Sequence, residues 1–219
     1  DPQQRLLLET AYSAMHAAEV RRASLMGSEH GVFLAISNTD YAQLLAKNDS
    51  VYAATGSAIS ITAGRLSFVF GLQGPCVSID TACSSALVGL NGACRALRCG
   101  ENVASLSCSV ALKLHPELTM DLASAGMLSV DGRCKTFDAS VNGFARSDGV
   151  GVIVVQPDDM LCDVAARVRS SAVQQDGRGA SLTAPSGAAQ ANLLLSVWSR
   201  ARTSESLAFG MLEAHGTGT

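Results

Sequence analysis

The stretch Ile79-Asp80-Thr81-Ala82-Cys83-Ser84-Ser85-Ala86-Leu87 places a cysteine where an apolar run gives way to a helical pattern. Val77-Ser78-Ile79-Asp80 reads as a buried strand that runs straight into this turn. Ala86, Leu87, Leu90, Ala93, Cys94 and Leu97 then recur at helical spacing until Gly100 closes the helix. Ala82, Ser84 and Ser85 are small enough for the backbone to bend tightly and leave the thiol open. A helix start offers N–H groups without intrahelical partners and the positive end of the helix dipole. Both favour thiolate over thiol, so the elbow predicts a nucleophile at Cys83. Its own backbone N–H is suited to an oxyanion hole. Cys76, Cys94, Cys99, Cys108, Cys134 and Cys162 lack this setting. They read as small buried hydrophobes in a reducing compartment. There is no CxxC pair and no zinc-like spacing, so no metal site is expected.

His215 is the second candidate. It follows an apolar run, Leu207 to Leu212, and precedes Gly216-Thr217-Gly218-Thr219. Taken alone it reads as a turn histidine. His16, His30 and His115 match no motif and read as surface or structural residues. The glycines at 216 and 218 do not form a dinucleotide fingerprint, because strand, helix and spacing are wrong for one.

Strands alternating with helices must position these residues. Asp1 and Pro2 suit the N-cap and first turn of a helix whose apolar stripe is Leu6, Leu7, Thr10, Ala11, Ala14 and Ala17. Gly31 to Ile36 has the continuous apolar pattern of a strand buried on both faces. Thr55 to Phe70 is expected to be helical and to stop before Gly71. Val103 to Leu114, Gly151 to Val155, Val164 to Val173 and Leu207 to Leu212 read as strands, and Gly187 to Arg202 as a helix. Ala125 to Asp148 is rich in Gly, Ser and Asp with little periodicity, and a loop of that length in a compact domain is usually functional. The pattern predicts an α/β fold with a buried, largely parallel sheet. Gln156-Pro157-Asp158-Asp159 is the one plausible boundary between two halves.

Hydrophobic residues make up 47% of the chain and charged residues 16%, ample for a core. The net charge is −3, and no basic cluster exceeds the pair Arg21-Arg22, which argues against nucleic acid or an anionic membrane as the main partner. No apolar run approaches the roughly 18 residues of a membrane span. Asn48-Asp49-Ser50 satisfies a glycosylation pattern that arises often by chance. Reduced cysteines give an intracellular location as the expectation, in cytoplasm or an organelle such as a plastid. The chain opens on Asp1 without a start Met and stops within a Gly-Thr repeat, so it reads as an internal piece of a longer protein.

Asp80-Thr81-Ala82-Cys83-Ser84-Ser85 resembles the nucleophile motif of β-ketoacyl synthases in polyketide synthases. Further matches follow in the family's order along the whole chain. They are Asp1-Pro2-Gln3-Gln4-Arg5, Gly64-Arg65-Leu66-Ser67-Phe68-Val69-Phe70 with Gly74-Pro75, and Gly132-Arg133-Cys134-Lys135-Thr136-Phe137-Asp138. Arg146-Ser147-Asp148-Gly149, Gln175-Asp176-Gly177-Arg178, Leu182-Thr183-Ala184-Pro185 and Glu213-Ala214-His215-Gly216-Thr217-Gly218-Thr219 complete the set.

The resemblance implies a thiolase-like fold, two similar α/β halves in α-β-α-β-α layers. Residues 1–160 would form the N-terminal half and residues 161–219 the start of the C-terminal half. It implies a decarboxylative Claisen condensation in which Cys83 carries the acyl chain and a malonyl-type extender arrives on acyl carrier protein. His215 would polarise the extender's thioester carbonyl as carbon dioxide leaves, since a neutral imidazole can donate a hydrogen bond to the developing enolate. Thr217 and Thr219 would hold the carrier's phosphopantetheine arm; the domain itself would need no metal or organic cofactor. Asp148, where the family usually has Glu, and Lys135 would brace the site through a hydrogen bond or ion pair. A homodimer is also implied. A fatty acid synthase ketosynthase, or a non-condensing decarboxylase or transferase homologue, is the alternative reading.

This chain departs from the family pattern at Cys108-Ser109-Val110-Ala111, where Gly-Gly-Val-Asn is common, and at Val141-Asn142-Gly143-Phe144, where Ala-Asp-Gly-Tyr is usual. Gln174 stands for the usual Asn, and the connector from Gln156 to Asp163 is short. The family also needs a second His and a Lys downstream of His215. The 219 residues end before them, so the chain alone is expected to lack condensing activity.

Overall fold

The computed structural model describes residues 1–37, 39–45, 50–158, 164–179, 181, 184–201 and 210–218. In chain order the elements begin α1 (Pro2–Ala17), α2 (Arg22–Leu25), β1 (His30–Ala35), α3 (Asp40–Leu45), α4 (Ala53–Ser57) and α5 (Ile59–Phe70). They continue β2 (Cys76–Ile79), α6 (Ser85–Arg98), β3 (Ala104–Ala111), α7 (Glu117–Ser124), β4 (Gly149–Val155) and α8 (Gly187–Ala201). The strands form one sheet in the order β2-β1-β3-β4, with β1 parallel to both β2 and β3 and β4 antiparallel to β3.

Alternation along β1 sorts the two faces of the sheet. Val32 and Leu34 join Leu106, Cys108 and Val110 of β3 in a core shared with Leu7, Ala11 and Met15 of α1 and Ala63, Leu66 and Phe70 of α5. Phe33 points the other way, onto Ala93 and Ala96 of α6. Helix α6 therefore covers one face and α1 with α5 the other, a three-layer arrangement. Continuous burial of β1 agrees with its unbroken apolar pattern.

Asp1 caps α1 as expected, its carboxylate accepting from the Gln3 N–H at 2.8 Å. Of the expected stripe Leu7 and Ala11 are buried, Leu6, Thr10 and Ala14 are half-buried and Ala17 is exposed; Gln3, Gln4 and Met15 complete the buried face. Gln3 Oε1 accepts from the Leu112 N–H beyond the end of β3. Gln4 Oε1 accepts from Arg65 Nε at 2.6 Å, and Gln4 Nε2 donates to the carbonyls of Thr55 and Gly56 at 3.3 and 3.2 Å. These bonds explain why a single helix over Thr55 to Phe70 is not formed. Ala58 is extended (φ −69°, ψ 127°), which splits the segment into α4 and α5 and turns the Thr55 and Gly56 carbonyls toward α1. Gln4→Ala would leave the Arg65 guanidinium short of an acceptor, and it is expected to cost about 1–3 kcal/mol of stability. Urea unfolding checks this; an unchanged midpoint would show that water replaces the amide.

Other expectations need correction. Among the described residues only β1 pairs with β2, which makes it an edge strand with Cys76 and Val77 exposed and Ser78 and Ile79 half-buried, not a buried one. On α6 the buried positions are the small Ser85, Gly89, Ala93, Cys94 and Ala96, while Leu87 is 72% exposed. A Cβ on Gly92 would lie 3.0 Å from the Phe33 ring, so small residues let this helix sit close to β1. The sequence reading contains no helix at α7; the element is short and none of its residues is buried, though Pro116 before Glu117 marks its start. Among the described residues, 164–173 and 210–212 form no strand, since a strand needs a neighbour to take its N–H and C=O groups and none pairs with them. Residues 207–209, Asn48, Asp49 and Cys162 lie outside the described residues. Cys94 and Cys108 are buried as expected, and burial pushes the Cys108 thiol up to about 12. Cys76, Cys99 and Cys134 are exposed instead, on the edge strand, the end of α6 and the long loop. No helix among the described residues is long and apolar enough to cross a membrane.

Candidate active site

Cys83 sits between the edge strand β2 and the first turn of α6, and it is exposed. The bend is built by its neighbours. Ala82 takes φ +52°, a left-handed conformation that costs an alanine on the order of 1 kcal/mol. Hydrogen bonds hold it there: the Ala82 N–H donates to Asp80 Oδ1 at 3.0 Å, and the Ser85 hydroxyl donates to the Ala82 carbonyl at 2.7 Å. That same hydroxyl accepts from the Thr81 N–H at 2.8 Å. Ser84 Oγ reaches back to the Thr81 carbonyl at 2.8 Å. Ser85 is only 5% exposed, so it acts as a buried peg that fixes the elbow from below. The anticipated small residues thus do more than make room: two of them hold the turn. Backbone strain that the surroundings over-determine is a common property of functional turns.

The second candidate region is the loop over residues 125–148, which carries no helix or strand beyond α7's last turn and a bridge between Leu128 and Phe144. The Ser129 N–H donates to the Phe144 carbonyl at 3.0 Å and the Phe144 N–H to the Met127 carbonyl at 3.1 Å. Ser129 Oγ lies 2.5 Å from Asp131 Oδ1 and 2.9 Å from Asn142 Oδ1. The Ser129 hydroxyl and then Lys135 hold the Asp131 carboxyl below the usual carboxylate range. Lys135 Nζ pairs with Asp131 at 2.9 Å and donates to the Ser140 carbonyl at 3.3 Å. The Ser140 N–H and hydroxyl, both 2.7 Å from Asp138 Oδ1, lower the Asp138 carboxyl likewise.

Residues 216–218 dock on this loop. The Thr136 hydroxyl donates to the Gly216 carbonyl, and the Gly143 N–H donates to the Gly218 carbonyl at 3.3 Å. A Cβ on Gly218 (φ +72°) would meet Val141 Cγ2 at 2.9 Å, so the contact is close enough to require glycine. Thr217 is half-buried there, His215 is exposed, and Thr219 lies outside the described residues. Asp148 serves a different place: its carboxylate accepts from the Lys113 N–H at 2.7 Å, and Lys113 Nζ lies 4.0 Å away. Lys135 and Asp148 therefore brace two separate parts of the region, not one pair. No hydrogen bond joins Cys83 to His215 among the described residues. Thr136 and Asn142 emerge as positioning residues that type and spacing did not single out, and Ser85, expected only to make room, emerges as one too. All three lie inside or beside matched motifs, which for Thr136 and Asn142 is the one signal that pointed to them. Among the described residues, no group of three His, Cys, Asp or Glu side chains could hold a metal ion.

Comparison with known proteins gives the same answer from sequence and from structure. Residues 1–160 match the family description "Beta-ketoacyl synthase, N-terminal domain", and residues 165–219 match "Beta-ketoacyl synthase, C-terminal domain". The whole chain is 42% identical to a phenolphthiocerol/phthiocerol polyketide synthase of Mycobacterium tuberculosis, of which it covers 15%. It is also 42% identical to the polyketide synthase GfsB of Streptomyces halstedii, of which it covers 4%. Among solved structures, the ketosynthase from module 6 of the bacillaene synthase of Bacillus subtilis 168 superposes with a TM-score of 0.83 at 34% identity over 91% of this chain and 35% of that one. An oxazolomycin ketosynthase domain from Streptomyces albus JA3453 gives a TM-score of 0.89 at 34% identity, over 100% of this chain and 39% of that one. The chain thus spans a small part of its curated relatives and little more than a third of the solved ketosynthase chains.

Proposed function

Because the chain belongs to the β-ketoacyl synthase family and has its thiolase-like fold, we propose that it forms the nucleophile-bearing part of a polyketide ketosynthase. The observation that carries this reading is the elbow, a strained turn pegged by Ser85 that presents Cys83 at the start of α6. In the proposed reaction the Cys83 thiolate attacks the carbonyl of an acyl thioester on a carrier protein. The carbon–sulfur bond to the carrier breaks, and the carrier thiol leaves with a proton. A malonyl-type thioester then loses carbon dioxide, and the electrons of the broken carbon–carbon bond pass to the enolate. Its carbon attacks the acyl-Cys83 carbonyl, and cleavage of that thioester returns the Cys83 thiolate with a β-ketoacyl product. Forming a covalent intermediate splits one hard condensation into two easier transfers.

His215 is proposed to donate a hydrogen bond to the enolate oxygen as it forms. The segment 216–218 that follows it, tied to Thr136 and Gly143, supports this assignment. Thr217 and Thr219 would hold the phosphopantetheine arm, which binds as part of a carrier-bound substrate. Among the described residues no strand pairs with the outer edge of β2, which supports a homodimer, since an open edge is a template for a second strand.

The test uses the full-length protein with a labelled acyl carrier thioester and malonyl carrier thioester. A β-ketoacyl product with release of carbon dioxide is the expected result. Acyl loading without condensation would replace this reading with a transferase, and decarboxylation without loading would replace it with a decarboxylase. His215→Ala is expected to leave acyl loading within a few-fold of normal and to slow condensation by about 10²-fold or more. Equal loss of both steps would remove the assigned role.

A further inference from the structure

The far end of the nucleophile helix carries a concentration of positive charge that the proposed condensation does not use. A pocket of about 460 Å³ opens between the last turn of α6, the segment around 169–173 and α8, and it is lined by Arg95, Arg98, Arg169 and Arg200. Asn91 also lines it, and its side-chain amide donates to Ser171 Oγ at 2.8 Å, which fastens the 169–173 segment to α6. Among the described residues, none of the four arginines forms an ion pair with a carboxylate.

Sequence accounts for that. Although the chain is acidic overall, with 19 Asp and Glu against 16 Lys and Arg, no acidic residue occurs in α6, in α8 or in residues 164–173. Arg95 and Arg98 do complement the negative end of the α6 dipole. That explains two of the charges and not their meeting with Arg169 and Arg200, which arrive from other elements. Guanidinium groups stay charged at any physiological pH, so their mutual repulsion persists unless a counter-charge enters. Their planar, forked donors suit the oxygens of phosphate in bidentate pairs.

We propose that this pocket binds a small polyphosphate-class ligand, a pyrophosphate or a pyrophosphate ester, between the four guanidinium groups. Its volume exceeds a bare phosphate and admits a pyrophosphate with part of an attached group. At about 1.5 Å per helical residue, Arg98 lies roughly 20 Å along α6 from the elbow, so the ligand is separate from the thiol chemistry. The site therefore stands or falls independently of the condensation reading.

Calorimetric titration of the full-length protein with inorganic pyrophosphate, at ionic strength held constant with sodium chloride, tests it. Saturable binding is expected, weakened at least tenfold by the double change Arg98→Ala with Arg169→Ala. Arg167→Ala is the control, since Arg167 is already engaged with Asp158 at 2.6 Å, and it is expected to leave the affinity unchanged. A second readout needs no variant: pyrophosphate should protect Arg95, Arg98, Arg169 and Arg200 from phenylglyoxal while Arg22 stays reactive. Absence of saturable binding, undiminished binding by the double variant, tighter binding of citrate than of pyrophosphate, or protection that does not distinguish these arginines from Arg22 would each overturn the proposal.

Discussion

Replacing Cys83 by alanine in the full-length protein is expected to abolish transfer of an acyl group from carrier thioester to protein, a loss on the order of 10³-fold or more, while folding is preserved. The two halves of that expectation have separate physical grounds. Removing the sulfur removes the atom that must form the covalent bond, and no neighbour can replace it. Ser84 Oγ is engaged with Thr81 and Ser85 Oγ is buried beneath the turn, bonded to both Thr81 and Ala82. Stability should change by no more than about 0.5 kcal/mol, because Cys83 is exposed and its loss opens no cavity. The strained φ of Ala82 is maintained by Asp80 and Ser85, whose bonds do not involve the thiol. Intact-protein mass spectrometry after incubation with acyl carrier thioester reads the loading directly. Cys76→Ala and Cys134→Ala, which remove other exposed thiols, should load normally. Loading that survives in Cys83→Ala, or that vanishes in Cys134→Ala instead, would move the nucleophile elsewhere.

The same elbow shows what sequence can and cannot convey. A cysteine between an apolar run and a helical pattern, flanked by small residues, was enough to locate the turn. The positive φ of Ala82 was not legible, because the peg that stabilises it is the side chain of Ser85, three residues on, and serine is ordinary at a helix start. Local signals worked where the cause was local: Asp1 capping α1, Gly71 in left-handed conformation after α5, and Gly100 after α6. They failed where a distant partner decides. Ala58 breaks a helix that its own neighbours would support, because Gln4 and Arg65 take the carbonyls that helix needs. Residues 164–173 have the composition of a strand, and composition cannot supply the neighbouring strand that would make them one. Lys135 and Asp148 share a loop in sequence yet serve different anchors, Asp131 and Lys113, which only the folded arrangement separates.

Gly143→Ala tests whether the loop and the Gly-Thr-Gly segment form one unit. Gly143 has φ +121°, and a Cβ there would lie 2.6 Å from the Leu128 carbonyl carbon, 2.6 Å from the Met127 carbonyl oxygen and 2.7 Å from the Ser129 nitrogen. All three are backbone atoms, so no side chain can rotate away, and the bridge between Leu128 and Phe144 must open. Adding left-handed strain to overpacking gives an expected cost of about 2–5 kcal/mol. Gly132→Ala supplies the contrast: φ is +68° there, but nothing lies within 4 Å, so only the backbone strain of about 1 kcal/mol should be paid. Denaturant melts of the two variants should therefore separate clearly, and equal losses would mean that the loop yields without resistance. Hydrogen exchange adds the spatial answer. Because the Gly143 N–H also donates to the Gly218 carbonyl, faster exchange should spread from Ser129 and Phe144 to residues 216–218. The Cys83 elbow, held by Asp80, Ser84 and Ser85 and, among the described residues, by no bond to this loop, should stay protected, so acyl loading is expected to persist in Gly143→Ala even where the His215 step fails.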